Sequence, residues 1–329
     1  MIVGDGKFKY ELVEGWEQLP DGWEHGDVAG VATDLEDRVY VFNRGEHPVI
    51  VYDREGRFLQ SWGEGVFTRP HGITITPDGT VWCADDTDHT VRSFTTDGTL
   101  IQTLGTVNRP SDTGYDMARG NDLRQIARAA GPFNRPTRVS RGPNGDLYVA
   151  DGYGNARIHR FSPDGALLQS WGESGDGEGQ FHLPHSVWAH RDSRVFVCDR
   201  ENDRIQIFSP TGDYLTAWTN VTRPGDLFID DDDRVYVGEM SWDLGYNRLS
   251  GVPWTEARPA QMTVRDIDGN VLARWGTAEM CAPGSFVSPH GIWVDAHGDI
   301  YVGEVTRTAL SNVGRVEPDC HTIQKFARR

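Results

Sequence analysis

Three histidines, His71, His185 and His290, each follow a proline, in PHG (70–72), PHS (184–186) and PHG (289–291). Three imidazoles brought to one point with a fourth position open make the ligand set of a catalytic zinc site, and another divalent transition metal would suit the same nitrogens. Arg44, in FNRGEH (42–47), offers a guanidinium able to clamp a carboxylate or carbonyl oxygen. Tyr153, in VADGYGNARI (149–158), offers a phenol that becomes a base once a dication and an arginine depress its pKa. Arg200, in DRENDRIQ (199–206), can serve such a site or pair with neighbouring acids. The remaining histidines (His25, His47, His89, His159, His182, His190, His297 and His321) share no register with the three, so surface or loop roles are expected of them.

Residues this far apart meet only if a repeat brings them to equivalent places, and one runs through the chain. Segments 71–105, 137–172 and 185–219 each read as strand, Asp/Asn-Gly-type turn, strand ending in Asp, polar loop, strand, second turn and final strand. Further units start at 29, 225 and 290. A period of about 40 residues, with alternating runs such as VYVF and RVFVCD, predicts four-stranded blades in an all-β, six-bladed β-propeller. The sixth unit lacks its fourth strand, and the N-terminal FKYELVEGW (8–16) has that pattern. The N-terminal strand is therefore expected to complete the last blade and close the ring, which removes an exposed sheet edge. The innermost strands then begin at Ala29, His71, Thr137, His185, Gly225 and His290. Histidine alternates with small residues, which on a six-fold ring sets three imidazoles about 120° apart at one height.

The segments before each first strand and between the second and third strands share one face, the top. Insertions at 106–135 and 240–261 fall there and read as lids. The first is expected to hold a short helix around 121–130, and the second carries Trp242, Tyr246 and Trp254. The acid that ends the second strand in five units (Asp85, Asp151, Asp199, Glu239, Glu304) is expected to cap the following turn.

Composition bounds the partners. The 329 residues hold 32 Lys+Arg against 49 Asp+Glu, a formal charge of −17. That excludes a basic nucleic-acid footprint and disfavours an anionic membrane surface. With 37% hydrophobic residues the chain can bury a core, and the repeat makes residues 1–329 one propeller. No apolar run is long enough to span a membrane, and the N-terminus has no secretory h-region. Cys83 and Cys198 fall in strands and Cys281 and Cys320 in loop-like segments, a pair whose meeting the spacing leaves open. The expectation is a cytoplasmic protein with a small-molecule substrate, its oligomeric state open.

The repeat resembles the NHL propellers. FNRGEH (42–47), PHG (70–72), VADGYGNARI (149–158), GQFHLPHS (179–186), DRENDRIQ (199–206) and PHG (289–291) are similar to motifs of the peptidyl-α-hydroxyglycine α-amidating lyases. The resemblance implies zinc on His71, His185 and His290, a substrate-engaging Arg44, a basic Tyr153 and a supporting Arg200. The implied reaction cleaves an α-hydroxyglycine carbinolamide to an amide and glyoxylate. The chain departs from the family at Ser288, where a Met is expected. Gly291 stands where the family has an Asp that helps hold a structural calcium, and Gly154 and Asn134 where it has half-cystines. The leading expectation is thus a zinc-dependent lyase for a small carbinolamide-like or related oxygenated substrate. Its rivals are a metal-dependent hydrolase (a lactonase or amidase) using zinc-bound water, and a non-catalytic NHL binding platform.

Overall fold

Runs such as Val39–Asn43 and Val195–Asp199 are rich in β-branched and aromatic residues and buried on both faces, as strands packed between neighbouring blades must be. The last strand of each blade is the exception, since only one face is covered: Phe58–Trp62 and Leu167–Trp171 bury chiefly their terminal tryptophan. The computed structural model, describing residues 1–241, 249–251 and 256–329, arranges these strands as six antiparallel sheets around a central channel. Five are four-stranded in sequence order, running from Val28–Thr33 outward in the first blade to Val271–Trp275 at the edge of the fifth.

The sixth blade closes the ring. Pro289–Val294, Ile300–Glu304 and Ile323–Arg328 are followed by Phe8–Leu12, which pairs antiparallel with the C-terminal strand, Tyr10 opposite Arg328. A fifth strand, Ile2–Asp5, adds to the outside, beyond what the repeat pattern indicated. Trp16 packs against Tyr52 and Tyr301, both at 5.3 Å between ring centroids, and so bridges the first and last blades.

The Trp-Gly signature has a packing cause. The tryptophan ending one blade lies under the second tight turn of the next: a Cβ on Gly212 would meet Trp171 at 2.6 Å, and one on Gly269 would meet Trp218 at 2.6 Å. Both glycines also have positive φ, so the turn needs glycine twice over.

Two loop features differ from expectation, and one that was left open is decided. The segment 121–130 forms no α-helix; it holds a 3-10 turn, Leu123–Gln125, whose Leu123 and the following Ile126 pack with Tyr115, Tyr153 and Leu183. Burying two anchors so close to the glycines at 120 and 131 uses the segment as a clasp. An α-helix does form at Thr306–Asn312, between the second and third strands of the last blade. Cys281 and Cys320 pair as a disulfide beside it, while Cys83 and Cys198 are buried and free. Trp242, Tyr246 and Trp254 lie outside the described residues. No helix among the described residues is long and apolar enough to cross a membrane.

Candidate metal centre and its arginine-lined cavity

In every blade the innermost strand is bulged at the same place: the pairing register shifts between Pro70 and Ile73, Pro184 and Ser186, and Pro289 and Gly291, and likewise in the other three blades. A bulge re-aims the side chain it carries. The residues inside these bulges are Ala29, His71, Thr137, His185, Gly225 and His290, so the histidines turn into the channel together. The acid ending the second strand holds the approach to each. Asp85 accepts from the peptide N–H groups of Thr68 and Arg69, Asp199 from His182, and Glu304 from Val287 and Ser288. Asn43 does the same for Gly26 in the first blade. The recurring acid braces the strand entrance; Asp85 also caps the following turn through the Thr87 and Asp88 N–H groups, whereas Asp199 makes no such cap.

The three imidazoles lie 4.5 to 4.8 Å apart between ring centroids, and their ligand nitrogens all fall within 4.8 Å of one another. Each Nδ1 meets the carbonyl of the bulge residue in the next blade: His71 with Thr137 at 2.8 Å, His185 with Gly225 at 2.5 Å, His290 with Ala29 at 2.7 Å. A carbonyl only accepts, so Nδ1 carries the hydrogen and Nε2 keeps its lone pair, the tautomer that a metal needs. Nε2 of His71 is buried with no hydrogen-bond partner, a cost that a bound cation would remove. Burial, reinforced by neighbouring imidazoles and arginines, holds all three pKa values well below the usual 6.5. The residues present fit a single divalent ion.

Tyr153 and Arg200 join this centre. The Tyr153 hydroxyl is 3.3 Å from Nε2 of His185 and accepts from Nη1 of Arg200 at 3.3 Å. Burial raises the phenol pKa, but the charges of Arg200, Arg69 and Arg44 outweigh it and leave the pKa below the ordinary 10. Arg200 is aimed by Glu201, which accepts its Nε at 2.9 Å and also Nη2 of Arg223 at 3.0 Å; burial works against the Glu201 carboxylate, yet Arg223 and Arg200 hold its pKa at about 2. Arg44 donates Nε to the Pro70 carbonyl at 2.8 Å, and its buried Nη2 has no partner. These groups border a cavity of about 420 Å³, walled on its apolar side by Met240, Val287, Val305 and Leu310.

Sequence reasoning missed Arg69, Arg135 and Arg223. The signal was there: each immediately precedes the proline that opens an innermost strand, in TRP (68–70), NRP (134–136) and TRP (222–224). Arg135 lies over the Tyr153 ring at 4.6 Å and donates to Asp86 at 3.2 Å and to the Tyr115 hydroxyl at 2.9 Å. It ties the first insertion to the tyrosine. His89 accepts from the Arg135 peptide N–H at 3.2 Å, and His182 meets Asn202 at 2.9 Å.

The structural calcium implied by the resemblance does not fit. A Cβ on Gly291 would lie 2.5 Å from Gly30 Cα and 3.1 Å from the Ala29 carbonyl oxygen, so no carboxylate can project there. Behind the histidines Arg138 instead crosses to Asp226 at 3.0 Å, both buried, and Asp226 also accepts from Ser186 at 2.6 Å and from the Ile292 N–H at 2.9 Å. A guanidinium supplies the positive charge at that level.

Residues 133–161 match the NHL repeat family. The human NHL repeat-containing protein 3 is 34% identical over 227 residues, which cover 65% of this chain and 61% of that protein. The peptidyl-α-hydroxyglycine α-amidating lyase 1 of Drosophila melanogaster is 28% identical over 275 residues, covering 76% of this chain and 45% of the lyase. This chain is a six-bladed β-propeller that carries an NHL-repeat match and resembles the amidating lyases. It thus spans less than two thirds of the length of either relative. Among solved structures, a streptogramin B lyase superposes with a TM-score of 0.59 over 97% of this chain and 98% of that one; at 15% identity the likeness is one of fold.

Proposed function

We propose that this propeller is a zinc-dependent lyase that cleaves a small carbinolamide of the α-hydroxyglycine type into an amide and glyoxylate. The observation that carries the reading is the Tyr153 hydroxyl, poised at 3.3 Å from His185 and 3.3 Å from Arg200 beside three convergent imidazole nitrogens. The similarity to the Drosophila amidating lyase supports it. A zinc ion held by His71, His185 and His290 would supply Lewis acidity that makes a carbinol hydroxyl easier to deprotonate. Arg44 turns its unpartnered Nη2 to the substrate's carboxylate or carbonyl oxygen.

Tyr153, as phenolate, takes the carbinol proton. The electron pair left on oxygen forms the aldehyde carbonyl, the C–N bond breaks, and its pair passes to the amide nitrogen, which regains a proton from the Tyr153 phenol. Nothing is added and no water is consumed. Arg200 stabilises the phenolate before the first transfer and again after the second. The apolar wall limits water at the reacting carbon.

The test is to purify the protein without chelators, measure its metal, and follow glyoxylate release from an N-acyl-α-hydroxyglycine in ¹⁸O-water. Expected are about one equivalent of zinc and an acyl fragment released as the unlabelled primary amide. Less than about 0.3 equivalents of any transition metal would leave a non-catalytic NHL platform as the better reading. Release of the acyl fragment as a carboxylic acid carrying the label would favour the hydrolase. The Cys281–Cys320 disulfide bears on compartment: such bonds persist in oxidising surroundings, which favours one of those over the cytoplasm expected from the sequence.

A further inference from the structure

Arg69 stands two residues before His71, and its peptide N–H is fixed by Asp85 at 3.0 Å. Its guanidinium gives Nη1 to Asp86 and, among the described residues, makes no other hydrogen bond. The side chain is 29% exposed and lines the cavity, so Nε and Nη2 remain available there. Asp86 is not reserved for it, since that carboxylate also takes Nη2 of Arg135 at 3.2 Å and the Thr87 hydroxyl at 2.9 Å.

Arg44 lies across Pro70 from Arg69, with Nη1 3.8 Å from Asp27 and Nη2 buried without a partner. The two guanidinia are close enough that, after burial, the charge of Arg69 is what most depresses the Arg44 pKa. Arg44, Arg69 and Arg135 thus share the carboxylates of Asp27 and Asp86, and positive charge is left over at the cavity wall. Two like charges in a half-enclosed pocket repel strongly until an anion comes between them. Carboxylate oxygens match the forked donors of guanidinium groups.

We propose that Arg69 and Arg44 form a two-guanidinium clamp for the substrate's carboxylate, and that Arg69 makes the site select an anionic substrate over its neutral analogue. The inference rests on the lyase reading for the substrate's identity, while the clamp itself is a statement about carboxylate binding.

The experiment therefore separates binding from turnover. N-acetylglycine, which lacks the carbinol hydroxyl, and neutral N-acetylglycinamide are titrated calorimetrically into the zinc-loaded protein. Wild type is expected to bind the anion at least about tenfold more tightly than the amide. Arg69→Met should weaken N-acetylglycine by about tenfold and leave the amide unchanged, because one charged clamp arm is gone. Arg69→Gln, which keeps a donor toward Asp86, is the second variant, and either one that folds decides. Equal affinity for N-acetylglycine in variant and wild type overturns the clamp, as does a parallel loss for both ligands or no anion preference in wild type. Carboxylate preference without glyoxylate release would remove the lyase reading and leave the clamp standing; turnover without preference would do the reverse.

Discussion

At the top of the channel the innermost strands present Ala29, His71, Thr137, His185, Gly225 and His290, large and small alternating around the ring. Three residues further along, toward the bottom, they present Ala32, Thr74, Ser140, Trp188, Phe228 and Trp293, with the large residues side by side. Alternation lets three imidazoles converge on the axis. Adjacency lets three aromatic rings pack on one another instead, Trp188 to Phe228 at 4.8 Å and Phe228 to Trp293 at 5.0 Å. The bottom cavity is the larger, about 660 Å³ against about 420 Å³, and its rim is acidic where the upper one is basic. Yet its acids are occupied within their own blades. Asp34 accepts from the Tyr40 hydroxyl at 3.0 Å, Asp230 from Tyr236 at 3.1 Å and Asp295 from Tyr301 at 3.3 Å. At the top, Nη2 of Arg44 and Nε2 of His71 have no partner. What sets the top apart is three buried imidazole nitrogens converging on one point, which neither cavity size nor rim charge reveals.

Substitutions at the two ends and between them test this contrast. His185→Ala should empty the metal site and lower turnover by more than about a thousandfold; elemental analysis reads the first effect and glyoxylate release the second, and retained metal would break the assignment. Between the ends, Arg138→Met strands the buried Asp226 charge and should cost about 3 kcal/mol of stability in urea unfolding. Added calcium should neither restore that loss nor shift the wild-type midpoint. Tyr153→Phe should keep its metal and lose turnover by about a hundredfold; near-normal activity would remove Tyr153 from the mechanism. Trp188→Ala at the bottom should cost about 2 kcal/mol, less than a fully buried tryptophan because it is half-buried, and leave turnover within about twofold. An activity loss at Trp188 larger than that at Tyr153 would reverse the roles of the two ends.

The blade count, the ring closure by the N-terminal strand and the shared register of the three histidines were legible because each repeats with a local pattern. The N-terminal expectation held for Phe8–Leu12, while the fifth strand at Ile2–Asp5 has no counterpart in the other blades from which to read it. The expected helix at 121–130 failed for a related reason: packing of Leu123 and Ile126 onto Tyr115, Tyr153 and Leu183 outweighed a modest local propensity. Arg69, Arg135 and Arg223 could have been found by comparing the residues before the strand-opening prolines, which vary while the prolines recur.

The −17 charge and the arginine-lined cavity are compatible because one is a sum and the other a placement. The propeller, the height at which His71, His185 and His290 sit and the recurring acid that braces their strands all follow from short-range periodicity in the chain. What meets across blades is set by folding alone: Tyr153 beside His185, Arg138 on Asp226, and Arg69 facing the same cavity as Arg44. Each of those contacts depends on the ring closing at a fixed diameter, and that distance is written in no single blade.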